Sequence, residues 1–170
     1  MSSPKTLNLV RSVWKSFLES SGLEPRLLHN LTITAATPGR VKLSLPIEKH
    51  HTNRLSILHG GTIASMVDLG GSLAVASRGL YSTGVSTDLN VTYLSSGGVI
   101  GDVISAEVQC DKFGKTLAYT SIVFKNEKGD TFARGSHTKY VMQAWKDEKN
   151  IVEEIKEEAK ALEGKSEAQV

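Results

Sequence analysis

The sequence predicts an α+β domain in which a curved antiparallel sheet wraps around one long central helix. The segment between residues 60 and 78 is apolar on almost every side of a helix, which is typical of a helix buried in a core. Short alternating runs with glycine-containing turns lie on both sides of it and are typical of antiparallel strands. A chain of 170 residues is long enough for one such domain.

The N-terminal segment is amphipathic. Residues 7–18 place apolar side chains at helical spacing, with Lys5, Arg11 and Lys15 on the opposite side. This pattern predicts a helix that covers the core and ends at residues 21–22. The same composition is typical of a mitochondrial transit peptide, so both interpretations stay open at this point.

Six runs have strand character, and the short connections between most of them indicate an antiparallel sheet. The predicted turns contain glycine, at residues 37–39, 97–98, 113–114 and 128–129. The runs are residues 31–36, 39–47, 83–96, 101–111, 115–126 and 130–143.

The C-terminal part differs in composition from the rest. After Trp145 most residues are charged, and the apolar residues between Val152 and Leu162 recur at 3-4-3 spacing. We therefore divide the chain into a domain of residues 1–144, which includes the N-terminal helix, and a helical tail of residues 145–170. The tail helix is expected to be exposed or to pack on a partner, and to end near Gly164.

Composition narrows the class of function. Charged residues make up 22% and hydrophobic residues 39% of the chain, as in a soluble globular protein. The net charge is only +2 and the basic residues are dispersed, so nucleic acid is not an expected partner. No apolar run approaches the ~20 residues of a membrane span. The single cysteine, Cys110, suits a reducing compartment such as the cytoplasm or the mitochondrion.

One carboxylate lies in the apolar segment HTNRLSILHGGTIASMVDLGG, residues 51–71. An unpaired buried carboxylate is costly, so Asp68 is either partnered by Ser72 or Ser86 or kept for chemistry. Gly60 and Gly61 stand at the predicted start of the helix, where free backbone N–H groups can polarise a carbonyl. A Gly-Gly pair is also a common tight turn, and that interpretation stays open.

The spacing of these groups has a geometric consequence. Asp68 follows Gly60 by eight residues, which is about 12 Å along a helix. The two groups therefore cannot act on one carbonyl from a single helix. Two copies of the helix running antiparallel across a dimer would bring them together, and the spacing predicts a homodimer with shared active sites.

Four blocks of the sequence carry a resemblance to a known family. The blocks are HTN…LHGGTIASMVD, GVSTDLNVTYLSS, KFGKTLAYTSIVF and ARGSHTKYV. They resemble the small hotdog-fold acyl-CoA thioesterases of the PaaI and 4-hydroxybenzoyl-CoA type, and among these the mitochondria-associated long-chain enzymes of mammals. The resemblance covers the chain from about Val10 to Val141. It implies the hotdog fold, hydrolysis of acyl-CoA in fatty acid metabolism, and assembly of two dimers into a tetramer.

The resemblance also implies catalytic roles. The Gly60 N–H group would bind the thioester oxygen, Asp68 would act as general base or nucleophile, and Ser86 would position the attacking water. Asn53 would orient water or substrate. His59 would hold the loop or the thioester group.

Three further residues match positions that meet the nucleotide of CoA in this family: Tyr93, Lys112 and Tyr140. Tyr140 departs from the histidine of the mammalian enzymes, and one residue is inserted around positions 97–98. Lys112 has an alternative interpretation as a solvated turn lysine. His137 and Asp88 are interpreted as structural residues.

Hydrolysis of an acyl-CoA thioester is the leading prediction. No G-x-S-x-G elbow is present, so a serine hydrolase is unsupported. The histidines at 50, 51 and 59 lack the spacing of a metal-binding motif, and we predict neither a metal site nor a cofactor. The alternatives are an acyl-CoA hydratase or dehydratase on the same fold, and a non-catalytic acyl-CoA-binding module.

Overall fold

A six-stranded antiparallel sheet curves around one long helix in the computed structural model, which describes residues 2–167 and the side chains of residues 2–164. This is the predicted hotdog architecture. The helices are α1 (Pro4–Ser20), α2 (Glu24–Leu27), α3 (Gly60–Ala76) and α4 (Val152–Glu167), and short 3-10 turns cover Lys49–His51 and Ala144–Lys146. The strands are β1 (Thr32–Thr37), β2 (Arg40–Pro46), β3 (Val85–Tyr93), β4 (Val103–Phe113), β5 (Leu117–Lys125) and β6 (Thr131–Tyr140).

The order of the strands in the sheet is β1-β2-β4-β5-β6-β3. All neighbouring pairs are antiparallel. The strand that follows α3, β3, lies at one edge of the sheet, and within the described residues it pairs with β6 alone. One long edge of the sheet is therefore left open next to α3.

The central helix α3 packs closely against the sheet. Met66, Val67 and Leu73 are fully buried on it, as the apolar pattern predicts. Two glycines permit the close approach, because a Cβ atom at Gly70 would lie 3.0 Å from the Cδ1 atom of Ile122, and one at Gly71 would lie 2.3 Å from a ring nitrogen of a β6 histidine. Any larger residue at position 71 would have to displace that ring.

The first helix is part of the core. Val10, Val13 and Trp14 are buried, and the Trp14 indole N–H donates to the carbonyl of Leu31 at 3.2 Å. The helix is capped at Ser21, where the sequence predicts its end. This packing confirms that α1 is a structural helix that covers the core. Among residues 2–167, neither α1 nor any other helix has the length and apolar character needed to cross a membrane.

The charged tail packs on its own chain, whereas the sequence predicts a helix that is exposed or packs on a partner, and α4 extends past Gly164 to Glu167. Val152 and Ile155 of α4 are buried. One carboxylate oxygen of Glu158 accepts a hydrogen bond from the backbone N–H of Lys5, and the other accepts from that of Thr6, both at 3.0 Å. These donors lie in the first turn of α1, whose own N-cap residue makes no side-chain bond. Glu158 therefore caps α1 from the opposite end of the sequence.

Candidate active site

The N-terminus of α3 presents one free backbone donor. His59 is the N-cap residue, and its Nδ1 atom accepts from the N–H of Gly61 at 2.7 Å. The N–H of Thr62 donates to the His59 carbonyl at 3.0 Å. Within residues 2–167 the N–H of Gly60 donates to no acceptor. It stands at the positive end of the helix dipole, where it can receive a negatively charged oxygen.

The loop before α3 is organised by Asn53. Its side-chain oxygen accepts from the N–H of Leu55 at 2.8 Å, and its own N–H donates to the carbonyl of Ile57 at 2.9 Å. Ser56 has a φ of 59°, which such a tight loop requires. In the single chain the Asn53 side-chain oxygen therefore bonds the loop backbone, and the loop sets the position of His59.

Asp68 lies in a compact polar cluster with Ser86 and His137. The Ser86 hydroxyl donates to the Asp68 Oδ1 atom at 2.8 Å. The Nε2 atom of His137 lies 2.9 Å from the Ser86 hydroxyl oxygen and 3.2 Å from the same Asp68 oxygen. Of the two partners that the sequence suggested for Asp68, the structure confirms Ser86. His137, interpreted from the sequence as structural, contacts both residues.

Asp68 is half-exposed, with 42% of its side chain accessible, whereas the sequence predicts a buried position. The reason is the open edge of the sheet. Ala64, Ser65 and Asp68 share one stripe of α3 that is only partly covered in the single chain. The other sides of the helix are buried as predicted.

The hydrogen bonds and the burial of His137 determine which ring nitrogen carries the proton and whether the ring is charged. Because the Ser86 hydroxyl donates to Asp68, its oxygen accepts from the Nε2–H group of His137. Burial lowers the pKa of His137, and the charge of Lys139 lowers it further, while Asp68 opposes both. His137 is therefore neutral at neutral pH. Its Nδ1 atom is buried and has no partner among the described residues.

A buried lysine stands beside this cluster. Lys139 is 3% exposed, and its ammonium group donates to the Ser72 hydroxyl at 2.9 Å. Burial lowers the pKa of Lys139, and the Asp68 charge counteracts this. The Ser72 hydroxyl thus serves the lysine, and the alternative in which it partners Asp68 is wrong.

Strand β3 links the two halves of the candidate site. Ser86, near its start, bonds Asp68, whereas the Tyr93 hydroxyl, at its end, donates to the Gly60 carbonyl at 2.9 Å. The strand therefore runs opposite to α3. Gly60 and Asp68 lie at opposite ends of β3 and do not meet within one chain.

The three residues expected to bind CoA are also separate. Tyr93 ends β3, whereas Tyr140 pairs with Val85 at the other end of the same ladder. Lys112 lies on β4 and pairs with Tyr119 of β5. One chain therefore does not assemble them into a single surface.

Comparisons with known proteins agree on one family. The family described as "Thioesterase superfamily" matches residues 55–133. A protein of Schizosaccharomyces pombe is 45% identical over 152 residues, which are 89% of this chain and 94% of that protein. Human acyl-coenzyme A thioesterase 13 is 38% identical over 134 residues, covering 78% of this chain and 94% of its own. The crystal structure of thioesterase superfamily member 2 from Mus musculus has a TM-score of 0.69 and 35% identity, covering 83% of this chain and 99% of that one.

Proposed function

This chain belongs to the thioesterase superfamily and is a thioester hydrolase, and we propose that it cleaves acyl-CoA thioesters to a free carboxylic acid and CoA. The similarity to acyl-coenzyme A thioesterase 13 supports the substrate class. The observation that carries the mechanism is the oriented Asp68 carboxylate at one end of β3 and the free Gly60 N–H group at the other.

In this mechanism Asp68 supplies the nucleophile. As a general base it removes a proton from water, and the hydroxide oxygen bonds to the thioester carbon while the carbonyl electrons move onto oxygen. The Gly60 N–H stabilises that oxyanion. The C–S bond then breaks and CoA leaves as the thiolate, which takes up a proton. As a nucleophile, Asp68 would instead attack the thioester carbon itself and expel the CoA thiolate, leaving a mixed anhydride that water then hydrolyses to the free acid and the Asp68 carboxylate.

The neighbours of Asp68 support either route. Ser86 and the neutral His137 hold its Oδ1 atom, so its second oxygen is available to water or substrate. His59 is less suited to a hydratase reaction, because its Nδ1 atom is engaged in capping α3. The similarity to acyl-coenzyme A thioesterase 13 supports hydrolysis over hydration.

The open edge of β3 supports a dimer. Its nine residues are mostly exposed, and Val85, Leu89 and Tyr93 present 63%, 38% and 52% of their surface. A long uncovered edge of this kind is a template for pairing with another strand. We propose that two copies join their β3 edges antiparallel, and that two such dimers form a tetramer.

This pairing would complete the active site. If Asn90 pairs with its own copy at the two-fold axis, Ser86 lies opposite the partner's Tyr93, because the β-bulge between Ser86 and Asp88 leaves both three ladder positions from the axis. Since Tyr93 contacts Gly60 and Ser86 contacts Asp68, each Asp68 then faces the partner's Gly60. The CoA-binding roles of Tyr93, Lys112 and Tyr140 are proposed on the same basis, with contributions from both chains.

An open groove whose wall ends at Val85, one residue before Ser86, is the proposed place for the acyl chain. It has a volume of about 530 Å³ and lies between the end of α1 and the start of β3, with Phe17, Tyr81 and Val85 in its wall. This volume is within the range of small-molecule sites. The proposed compartment is the cytoplasm or the mitochondrion, which suits the free Cys110.

Complementation between two inactive variants tests the shared site. Asp68→Ala removes the carboxylate and should lower turnover at least ~100-fold. Gly60→Pro removes the N–H donor, and proline is well tolerated at the first position of a helix. When equal amounts are refolded together, about half of the dimers are mixed if association is random. Each mixed dimer has one intact site of two, so thiol release should recover to about a quarter of wild type.

Two controls sharpen this experiment. A mixture of Asp68→Ala with Ser86→Ala should show no recovery, because these two residues belong to the same site in the same chain. Gly60→Ala keeps the N–H group but adds a Cβ atom 3.2 Å from Tyr93. It therefore distinguishes the effect of losing the N–H group from the effect of a steric contact with Tyr93. If mixed dimers are present by mass and the first mixture stays inactive, the shared site is wrong.

A further inference from the structure

A second group of chemically reactive side chains lies outside the candidate active site. His29 follows α2, His50 lies in the 3-10 turn after β2, and Glu48 is the N-cap residue of that turn. One ligand atom from each of the three lies within 4.8 Å of the other two. The Nε2 atom of His29 is 3.9 Å and the Nδ1 atom of His50 is 3.5 Å from the same Glu48 oxygen.

These distances between ligand atoms are close to the separations that ligand atoms have around a bound ion. Ligands at 2.0–2.1 Å from a tetrahedral zinc ion lie about 3.3 Å apart. The two histidine–glutamate distances exceed this value by about 0.6 Å and 0.2 Å, and the stacked rings of His29 and His50 would have to turn for both nitrogens to face one ion. The side chains of His29 and His50 are 49% and 34% exposed, so they have the freedom to make this adjustment and an ion can reach them.

The glutamate is already held in position by its surroundings. Its other oxygen accepts from the Asn30 amide at 2.8 Å, and the same amide is anchored on the Pro46 carbonyl at 3.0 Å. The Glu48 backbone N–H donates to the His51 ring at 2.9 Å. A hydrogen bond to the second oxygen of a ligating carboxylate orients the ligand, as is usual in metal sites.

The histidines differ in whether their ring nitrogens are free to bind an ion. This difference, and the approach of His29 to Glu48, depend on the folded structure, so the sequence did not identify this group. Both ring nitrogens of His51 are engaged, with the Glu48 N–H and the Leu27 carbonyl, and His59 caps α3. The ring nitrogens of His51 and the Nδ1 atom of His59 therefore already have hydrogen-bond partners. His50 instead faces His29, with ring centroids 5.1 Å apart.

We propose that His29, Glu48 and His50 bind a divalent transition-metal ion such as Zn²⁺, with water completing the coordination. Two imidazole nitrogens and one carboxylate oxygen are donors that suit zinc, cobalt, nickel and copper, whereas magnesium and calcium require oxygen ligands. No lysine or arginine among the described residues forms an ion pair with Glu48. The carboxylate charge is thus left for the ion. This inference is independent of the proposed hydrolase mechanism.

Titration with Zn²⁺ and with Co²⁺ tests the site in the full-length protein. Calorimetry should give one tight ion per chain, and Co²⁺ should develop visible ligand-field absorption. His29→Gln and His50→Gln should each weaken binding at least ~100-fold, because each removes a direct ligand, and Asn30→Ala should weaken it about 10-fold through loss of orientation. Excess Mg²⁺ or Ca²⁺ should not compete.

Matched surface variants serve as controls. Lys49→Gln changes the residue between two proposed ligands, and Glu154→Gln removes an equal charge on α4, where the residue is exposed; both should bind as wild type. All three ligands are exposed, and thermal unfolding without metal should confirm that the variants fold. Absence of binding to the wild-type protein, or equal Co²⁺ affinity in wild type and His29→Gln, would overturn the site.

Discussion

Gly71 is the residue whose replacement most directly tests the role of His137. A Cβ atom at this position would lie 2.3 Å from the His137 Nδ1 atom and 2.8 Å from the Thr120 hydroxyl oxygen. Ordinary contacts begin at 3.4 Å, so Gly71→Ala must displace the imidazole by about 1 Å. That shift would disrupt the 2.9 Å contact between His137 and Ser86. Ser86 and Asp68 depend on His137 for their position, and a misplacement of about 1 Å at a reacting group costs about 100-fold in rate.

The stability cost of Gly71→Ala is smaller than its cost in rate. Overpacking a core costs about 1–3 kcal/mol, and replacing glycine by alanine inside a helix returns about 1 kcal/mol. The net loss is therefore about 0–2 kcal/mol, which a domain of this size tolerates. We expect a folded variant in which kcat for thiol release from acyl-CoA is about 100-fold lower.

Urea unfolding and thiol release over a panel of acyl chain lengths measure the two effects separately. In a His137→Gln background, Gly71→Ala should cause little additional loss of kcat, because the effects act through one side chain. Gly164→Ala is the matched control, since no atom lies within 4 Å of its Cβ position, and its turnover should equal wild type. Wild-type kcat in folded Gly71→Ala, or a full 100-fold loss in the His137→Gln background, would refute the reasoning.

Two predictions concern stability. Burial lowers the pKa of both His51 and His137. In the unfolded chain these histidines bind protons near the ordinary pKa of about 6.5. The folded chain binds the same protons only at lower pH, so protonation favours the unfolded state. The free energy of unfolding in urea should therefore fall as pH drops from about 7.5 to 5.5, and by less in His137→Gln; equal falls would contradict this cause. Glu158→Ala should lower stability by about 1–2 kcal/mol through loss of the α1 cap, while Glu157→Ala, on the exposed side of α4, should change little. Equal midpoints for Glu158→Ala and wild type would exclude a contribution from the cap.

The sequence predicts the elements of this fold well because each has a local pattern. The alternation of Val41, Leu43 and Leu45 defines β2, and the apolar run from residue 60 defines α3. The position of β3 has no such local signal. Short connections favour pairing of consecutive strands, which holds for β4, β5 and β6. After β3, however, the chain crosses the sheet, and β4 pairs with β2 instead.

The residues of the candidate site also divide into those with a local sequence signal and those without one. Gly60 and Asp68 are identified by their places on one helix and by resemblance. His137 is not, because its contact with Ser86 joins residues 51 positions apart and depends on the β3–β6 register. In β6 the side chains alternate between faces, and His137 and Lys139 point to the same buried side. Two polar residues at alternate positions of HTKY, on the buried face of a strand, are the sequence signal for this cluster.

The carboxylate of Glu158 joins residues separated by 152 positions in the chain, and this has a consequence for the order of folding. During synthesis α1 emerges before the strands, whereas the acceptor for its first N–H groups lies on α4 and is made only after the whole sheet. Until then the first turn of α1 depends on water for its hydrogen bonds. A contact between distant residues also carries a high loop-closure cost, so it forms after the sheet has brought the two helices together. The cap is thus a late step, which can form only after the sheet has been made and α4 has followed it.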